Sequence, residues 1–213
     1  MSVSYSKYIK YLSGVMKSKD WWPLIADKKL NKEMVQSLGV PVPKYYNLPH
    51  DVVIKPKSSH SSMNVNIFND YKKWIMEELL VDEDGGNVIR DFRWYFFGEK
   101  AKMIQISREN DGIKYESYYS WPDWKLLNID DVRPSFDVEK PKCIELMHDY
   151  AQKIASQFNT LIRVDMYAAL NGPVFGELCV TAGLVMGNRI NEDGDKLLGS
   201  WLKEYRENKN EKN

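Results

Sequence analysis

Two acidic residues in the last quarter of the chain, Asp165 and Glu177, are candidates to hold a metal ion together. A β-hairpin with a turn at residues 170–172, and with Gly172 in a left-handed conformation, would place them directly opposite one another. Two carboxylates at cross-strand distance repel each other, and a bound cation reverses that cost. Mg2+ fits because it often takes one or two carboxylates and completes its shell with water and substrate phosphates.

The alternative turn, Asn171-Gly172, would place Asp165 opposite Leu178 and mix charge with apolar side chains on both faces. The three-residue turn is therefore favoured. It predicts an apolar face made of Val164, Met166, Ala168, Val174, Leu178 and Val180. It predicts a polar face made of Arg163, Asp165, Tyr167, Phe175, Glu177 and Cys179. Arg163 could hold a phosphate or an oxyanion, but a solvated face on which it only neutralises the acids stays open.

Basic and small residues follow the apolar segment 52–55. Lys55 ends that segment, Lys57 comes two residues later, and residues 58–62 read Ser-Ser-His-Ser-Ser. Small residues let a loop close over phosphates and offer them backbone N–H groups and hydroxyls. A serine-rich surface turn has the same composition, so this stretch alone leaves both interpretations open.

Two neighbouring acids, Glu77 and Glu78, interrupt the apolar segment 75–81. In a strand, one of them must point to the core side, and a buried acid needs a partner. A ligand amine or ribose would serve, and so would a lysine of the protein. Arg93 lies between aromatic residues of a predicted strand and points away from their face, and Arg108 follows another strand. Both also fit ordinary surface roles.

The elements that must position these residues follow one another as helices, strands, one long helix and more strands. That order is typical of an α+β protein with mostly antiparallel sheets. Helices are predicted at 4–17, 27–38 and 141–158. Strands are predicted at 52–55, 64–68, 75–81, 90–97, 100–107, 113–120, 161–169 and 173–180.

Composition limits the class of protein. The 213 residues include 30 basic and 30 acidic side chains, so the formal net charge is zero and a broad nucleic-acid surface is not supported. Two cysteines without CxxC spacing argue against a disulfide scaffold or a structural zinc site. The chain shows neither a signal peptide nor the ~20 apolar residues of a membrane span, so we expect a cytoplasmic protein.

Together these segments resemble the ATP-grasp superfamily, and most closely its teichuronopeptide-biosynthesis, TupA-like branch. The resemblance covers about residues 24–200, and its most specific part is an Arg-x-Asp strand, a short turn and a Gly-Glu-Leu strand. The matching motifs are LIADKKLNKEMVQSLGVPVPKYY, VVIKPKSSHSSMNVNIF, IMEELL, RDFRWYFFGEKAKMIQISR, YYSWPDWKLL and KPKCIELMHDYAQKIASQFNTLIRVDMYAALNGPVFGELCVTAG.

The resemblance implies two small lobes that grip ATP between mostly antiparallel sheets. The expected division is an N-terminal helical segment at 1–24, a small lobe with a phosphate lid at 25–79, a larger lobe with the metal site at 80–205, and a frayed polar tail at 206–213.

The resemblance also implies roles for the candidate residues. Contacts to ATP are expected from Lys28, Lys55, Lys57, Ser61, Ser62, Glu77, Glu78, Leu80 and Arg93. Mg2+, or Mn2+ in its place, is expected on Asp165 and Glu177. Arg163 and Arg108 are expected to serve the chemistry. Cys179 stands where many members have an asparagine that binds a second Mg2+, so the number of metal ions stays open.

The reaction implied by the resemblance is ligation of a carboxylate to an amine through an acyl phosphate. The acceptor would be a small molecule or a polysaccharide, such as a sugar carboxylate of a surface polysaccharide, and the donor an amino acid or other amine. A kinase and a non-catalytic ATP-binding assembly factor are the alternatives. Because the match leaves only about 24 residues for a preceding domain, a second copy or a partner subunit is a candidate to complete the acceptor site.

Overall fold

The computed structural model describes residues 4–44, 52–56, 74–86, 89–110, 112–130, 132–180, 185 and 188–210. The predicted strand at 64–68 lies outside these residues. The helices are α1 Tyr5–Val15, α2 Trp22–Ala26, α3 Lys28–Ser37, α4 Ile144–Ala155 and α5 Glu192–Asn210. The strands are β1 Val52–Pro56, β2 Trp74–Glu78, β3 Asp91–Phe97, β4 Lys100–Asn110, β5 Ile113–Ser120, β6 Leu161–Ala169 and β7 Gly172–Cys179.

The strands form two antiparallel sheets, which confirms the predicted α+β class. Strands β1 and β2 make a two-stranded sheet, and the larger sheet has the order β5-β4-β3-β6-β7. Every neighbouring pair in the larger sheet is antiparallel. The division at residues 24, 79 and 205 stays a prediction.

One face of the larger sheet is apolar and packs beneath α4. Phe92 and Trp94 of β3 are fully buried there, as are Met147 and Ile154 of α4. Burying a side chain of this size contributes ~1.5–3 kcal/mol, so this layer supplies much of the stability. The opposite face of the sheet carries the polar side chains described below.

The N-terminal helix is fastened to the last helix. Asp195, in the first turn of α5, accepts hydrogen bonds from the Ser4 hydroxyl at 2.9 Å and from the Ser6 backbone N–H at 2.7 Å. The ring of Tyr5 lies 5.9 Å from that of Phe97 at the end of β3. Helix α1 is thereby held against both α5 and the sheet.

The predicted frayed tail at 206–213 is wrong over most of its length, because α5 continues to Asn210. Leu198 and Leu202 are fully buried, and the Tyr205 hydroxyl donates to the Asn159 carbonyl at 3.2 Å. These apolar positions precede the tail, repeat at helical spacing and lie among many polar residues, which concealed the helix. Among the described residues, no helix combines the length and apolar character needed to cross a membrane.

Hydrogen bonds hold the segment between the two sheets against the larger sheet. Asp82 accepts from the Arg90 backbone N–H at 2.8 Å and from its Nε at 3.0 Å. The Glu83 N–H donates to the Ala168 carbonyl at 2.8 Å, and the Leu170 N–H donates to the Val81 carbonyl at 2.9 Å. The chain thus enters β3 along the end of the β6–β7 hairpin.

Candidate functional site

The two acids of the hairpin lie opposite one another, as predicted. Asp165 pairs with Glu177 in the β6–β7 register. The predicted three-residue turn is wrong, however, because Ala169 pairs with Gly172 and the loop has only two residues. A β-bulge corrects the register, since Gly176 lies between the paired positions of Phe175 and Glu177 and has no cross-strand partner of its own.

The bulge also reverses two predicted side-chain positions. Phe175 pairs with Met166 and is fully buried on the apolar face, whereas Val174 pairs with Tyr167 on the polar face. The sequence pattern assigned them the other way round because alternation was continued through Gly176 without a break. Beyond the bulge, alternation resumes and directs Glu177 to the polar face.

Asp165 is held by an arginine of its own strand. The Arg163 Nε donates to Oδ1 and its Nη2 to Oδ2, both at 2.6 Å, and both side chains are buried. Residues two apart in a strand share a face, which brings the two together. Burial raises the pKa of Asp165 to about 7 against the lowering effect of Arg163. Burial alone would lower the pKa of Arg163, but Asp165 brings it well above its usual value.

Two further cations, Lys28 and Arg93, lie near the carboxylates of Glu177 and Asp165. The Lys28 Nζ lies 3.7 Å from Glu177 Oε2, and the Arg163 Nη2 lies 3.6 Å from Glu177 Oε1. The Arg93 Nε lies 3.8 Å from Asp165 Oδ2, because β3 places Arg93 beside Asp165 in the β3–β6 register. Five of the predicted site residues are therefore brought together by α3, β3, β6 and β7.

An N-terminal cap fixes where helix α3 begins, and this places Lys28 in its first turn. Asp27 accepts hydrogen bonds from the backbone N–H groups of Lys29 at 2.8 Å and Leu30 at 3.1 Å, which begins the helix at Lys28. One turn later, the buried Lys32 donates a hydrogen bond to the buried Glu77 of β2. A lysine of the protein is thus a partner of the buried acid, as one of the sequence alternatives allowed.

For the remaining residues predicted to contact ATP, the structure gives fewer side-chain contacts. Glu78 Oε1 accepts from the Lys44 backbone N–H at 3.2 Å, and Leu80 follows β2 as a half-buried residue. Lys55 is paired with Ile75 through the backbone of the small sheet. Lys57, Ser61 and Ser62 lie outside the described residues.

Arg108 is not brought to this site. Its β4 position has the opposite parity to Gln105, which pairs with Arg93, so Arg108 belongs to the other face of the sheet. Its side chain is exposed, and its guanidinium carbon lies 4.7 Å from the centroid of the Phe136 ring. This geometry contradicts the predicted catalytic role and gives Arg108 a packing role instead.

Sequence reasoning missed several charged residues on the polar face. Asp91 Oδ2 accepts from the Arg93 Nε at 2.7 Å, and the buried Glu116 Oε2 accepts from the Arg189 Nη1 at 2.7 Å. The alternation in β3 and β5 was the available signal for Asp91 and Glu116. Arg189 reaches Glu116 from 73 positions away, which no local pattern reveals.

The carboxylates fit Mg2+ through their donor chemistry. Asp165 and Glu177 are oxygen donors on adjacent strands, and the remaining ligands would be water and phosphate oxygens. Within the described residues, His, Cys, Asp and Glu form no group of three or more suited to a metal ion. Because Arg163 bonds both oxygens of Asp165, a bound cation would have to share that carboxylate with it.

Three solved structures share the fold of this chain, each at 17% identity or less. D-Alanine–D-alanine ligase from Bacillus anthracis is 17% identical with a TM-score of 0.52, and the match covers 87% of this chain and 70% of that one. Its ATP complex is 14% identical, with a TM-score of 0.51 and coverage of 87% and 68%.

An ADP complex of N5-carboxyaminoimidazole ribonucleotide synthetase is 13% identical with a TM-score of 0.52. That match covers 82% of this chain but 51% of the synthetase, so this chain spans about half of its length. No curated protein sequence matches significantly. The model of the protein family described as TupA-like ATPgrasp matches residues 52–203, which is more than half of the chain. This chain belongs to the TupA-like ATP-grasp family.

Proposed function

We propose that this protein is an ATP- and Mg2+-dependent ligase that joins a carboxylate to an amine. The observation that carries the proposal is the convergence of Asp165 and Glu177 with three cations, Arg163, Arg93 and Lys28. Two acids and several cations on one face are what a triphosphate and its metal ion require. Membership of the TupA-like ATP-grasp family supports the same reaction class.

In the proposed reaction, a carboxylate oxygen forms a bond to the γ-phosphorus of ATP, and the bond from that phosphorus to the bridging oxygen of ADP breaks. The amine nitrogen of the second substrate then attacks the carbonyl carbon of the acyl phosphate. Inorganic phosphate leaves with the bonding electrons, and the nitrogen loses a proton to solvent. The product is an amide, with ADP and phosphate released.

The charged side chains have separate parts in this proposal. Lys28 and Arg93 would bind the phosphates, and Arg163 would stabilise the oxyanion of the tetrahedral intermediate. Loss of one such donor typically costs ~100–1000-fold in rate. Asp165 and Glu177 would hold Mg2+, which supplies positive charge to neutralise the transferred group.

For the substrates, we propose a sugar carboxylate of a surface polysaccharide and an amino acid as the amine. The likeness to the teichuronopeptide-biosynthesis branch supports this choice. The reaction class can be tested without either natural substrate, because hydroxylamine intercepts an acyl phosphate and gives a hydroxamate.

The test is to incubate the protein with Mg-ATP, hydroxylamine and a panel of carboxylates that includes uronic acids. We expect hydroxamate, ADP and phosphate in equal amounts. Asp165→Asn and Glu177→Gln should each lose more activity than the ~10–100-fold typical of residues that only support a metal ligand. Asp149→Asn, at a well-exposed position of α4, is the matched control and should retain activity.

Two outcomes would contradict the ligase. A stable phosphoester formed on a hydroxyl substrate would identify a kinase. Tight Mg-ATP binding without turnover on any carboxylate or hydroxyl would favour a non-catalytic ATP-binding factor. If Asp165→Asn and Glu177→Gln both bind and react like the parent, the metal assignment fails.

A further inference from the structure

A buried tyrosine lies beside Arg163 on the neighbouring strand. Tyr95 of β3 pairs directly with Arg163 in the β3–β6 register, and the side chains of such a pair share one face of the sheet. Tyr95 is 3% exposed, and its hydroxyl donates to the Gln105 Oε1 at 2.7 Å. The polar face therefore continues from the charged residues into a buried aromatic side chain.

A second tyrosine reaches the same face from the N-terminal helix. Tyr5 is the first residue of α1, and its ring centroid lies 5.9 Å from that of Phe97. Phe97 comes two residues after Tyr95 in β3, which pairs regularly with β6, so both side chains point to the face that carries Arg163. Tyr5 is buried there at 3% exposure.

The order of the β3–β6 pairs shows where Tyr5 lies relative to Arg163. Along the two strands the pairs are Arg93 with Asp165, Tyr95 with Arg163, and Phe97 with Leu161. Because Tyr5 packs against Phe97, Tyr5 and Asp165 lie on opposite sides of Arg163. Arg163 thus has a carboxylate on one side and a buried aromatic ring on the other.

The ionisation of the two tyrosines reports the same proximity. Burial and the neighbouring Tyr95 raise the pKa of Tyr5 well above its ordinary value, while the positive charge of Arg163 opposes the increase. Burial raises the pKa of Tyr95 to about 12, again against the effect of Arg163. One guanidinium influences both phenols because little water separates the three groups.

The start of α1 is fixed on both sides of Tyr5. The Ser4 hydroxyl donates to the Asp195 Oδ2 at 2.9 Å, and the Ser6 backbone N–H donates to Oδ1 of the same carboxylate at 2.7 Å. Both sequence neighbours of Tyr5 are thereby bonded to α5. The ring of Tyr5 cannot move along the sheet without breaking these hydrogen bonds.

Arg163 would need a second support when a metal ion is bound. Both oxygens of Asp165 accept hydrogen bonds from Arg163, and a cation on Asp165 would have to share that carboxylate. A partly released arginine regains rotamer freedom, because its side chain has many accessible conformations. A rigid ring on the other side of Arg163 limits the space into which the guanidinium could turn.

We propose that Tyr5 is a positioning residue of the active site, which closes the side of Arg163 away from Asp165 and keeps the guanidinium aimed at the reacting carboxyl group. Helix α1 is then part of the catalytic unit, although it precedes residues 52–203 that the family model matches. This inference rests on the proposed function, which gives Arg163 its role. The competing account is that Tyr5 only anchors α1 to the sheet.

The test compares Tyr5→Leu with Tyr8→Leu in the hydroxamate assay. Both variants shorten a tyrosine of α1, but Tyr8 is half-buried and lies near Tyr205 and Arg206 of α5. We expect Tyr5→Leu to lower kcat about 10–100-fold, the typical effect of misplacing a catalytic group, with the KM for ATP unchanged. Tyr8→Leu should keep the kcat of the parent.

Combination with Arg163→Lys separates positioning from anchoring. If Tyr5 acts through Arg163, Tyr5→Leu should cost little further kcat once Arg163→Lys is present. Losses that multiply, or a parent-like kcat in Tyr5→Leu, would overturn the proposal and leave Tyr5 as an anchor of α1.

The same four proteins give a readout that needs no turnover. Denaturant unfolding of the parent, the two single variants and the double variant should show losses in unfolding free energy that do not add, as expected for neighbouring side chains. Additive losses would overturn the positioning role. A parent that forms no hydroxamate would contradict the ligase, while the unfolding measurements would still decide whether Tyr5 supports Arg163.

Discussion

Gly176 determines where Glu177 points. It is the extra residue of the bulge, and a Cβ at this position would lie 3.0 Å from the Asp165 carbonyl oxygen and 3.1 Å from the Tyr167 ring. Only glycine lets β7 approach β6 this closely. The residue therefore acts on the candidate metal site through the backbone, without contributing a side chain.

We expect Gly176→Ala to push β7 away from Asp165 and to separate the two carboxylates. The cost in the free energy of unfolding should be ~1–3 kcal/mol, as for overpacked sites, with a larger relative loss in Mg-ATP affinity. Gly14→Ala in α1 is the control, since its Cβ would meet nothing within 4 Å and alanine favours a helix. Denaturant unfolding and calorimetry report the two effects. Parent-like Mg-ATP affinity in Gly176→Ala would contradict this role.

At this scale the sequence predicted the main pair and the three cations beside it, Lys28, Arg93 and Arg163, but not the other charged residues of the polar face. Asp165 and Glu177 were placed opposite one another although the predicted turn was one residue too long. The bulge at Gly176 compensates for the shorter turn, and a bulge has no reliable signal in alternation alone. Arg189 could not be found because it reaches Glu116 through tertiary structure.

Among the elements, the segment from β2 to β3 contains a buried ion pair of its own, between Asp82 and Arg90. Asp82 is fully buried, and Arg90 holds it through both backbone and side chain. Burial raises the pKa of Asp82, but the hydrogen bonds from Arg90 outweigh that effect and the pKa lies below its ordinary value. A carboxyl with a depressed pKa stabilises the folded state at neutral pH and loses that contribution in acid.

We expect Asp82→Asn to reduce the free energy of unfolding by ~3 kcal/mol at pH 7, because Arg90 keeps its charge without a partner. The difference from the parent should shrink as the pH falls below ~4, where the aspartate of the unfolded parent protonates. Urea unfolding at pH 7 and pH 3 measures this. Asp123→Asn, at an exposed position, should behave like the parent at both pH values. A difference that stays constant with pH would argue against the ion pair.

The elements themselves were largely predictable, and the exceptions have physical reasons. The spacing of apolar residues predicted α4, although the helix begins at Ile144 and not at residue 141. Helix α5 was missed as a whole because its few buried positions lie among many charged ones. Arg108 was assigned to the site by the family resemblance, whereas its parity in β4 sends it to the other face.

Considered as a whole molecule, α3 connects the two sheets. Lys32 pairs with Glu77 of the small sheet, and Lys28, one turn earlier, approaches Glu177 of the large sheet. Both lysines project from one side of the same helix. A ligand held by both sheets would therefore stabilise the entire fold instead of one lobe.

We expect Mg-ATP at 100 times its dissociation constant to add ~2.7 kcal/mol to the free energy of unfolding. For a chain of this length that corresponds to an increase of ~5–10 °C in the unfolding temperature. Removing the metal with EDTA at the same ATP concentration should remove most of the shift. Asp165→Asn should show little shift with or without EDTA. An EDTA-insensitive shift in the parent would contradict metal-dependent binding.

The short turn and the bulge of the β6–β7 hairpin also limit how the chain can change in length. One residue added to the loop at 170–171, with Gly176 kept, would invert the alternation of β7 up to the bulge or displace Glu177 from Asp165. Insertion in the loop and loss of the bulge would have to occur together to preserve both faces. We therefore expect length variation between β6 and β7 among homologous chains to be paired, which an alignment of such chains can test.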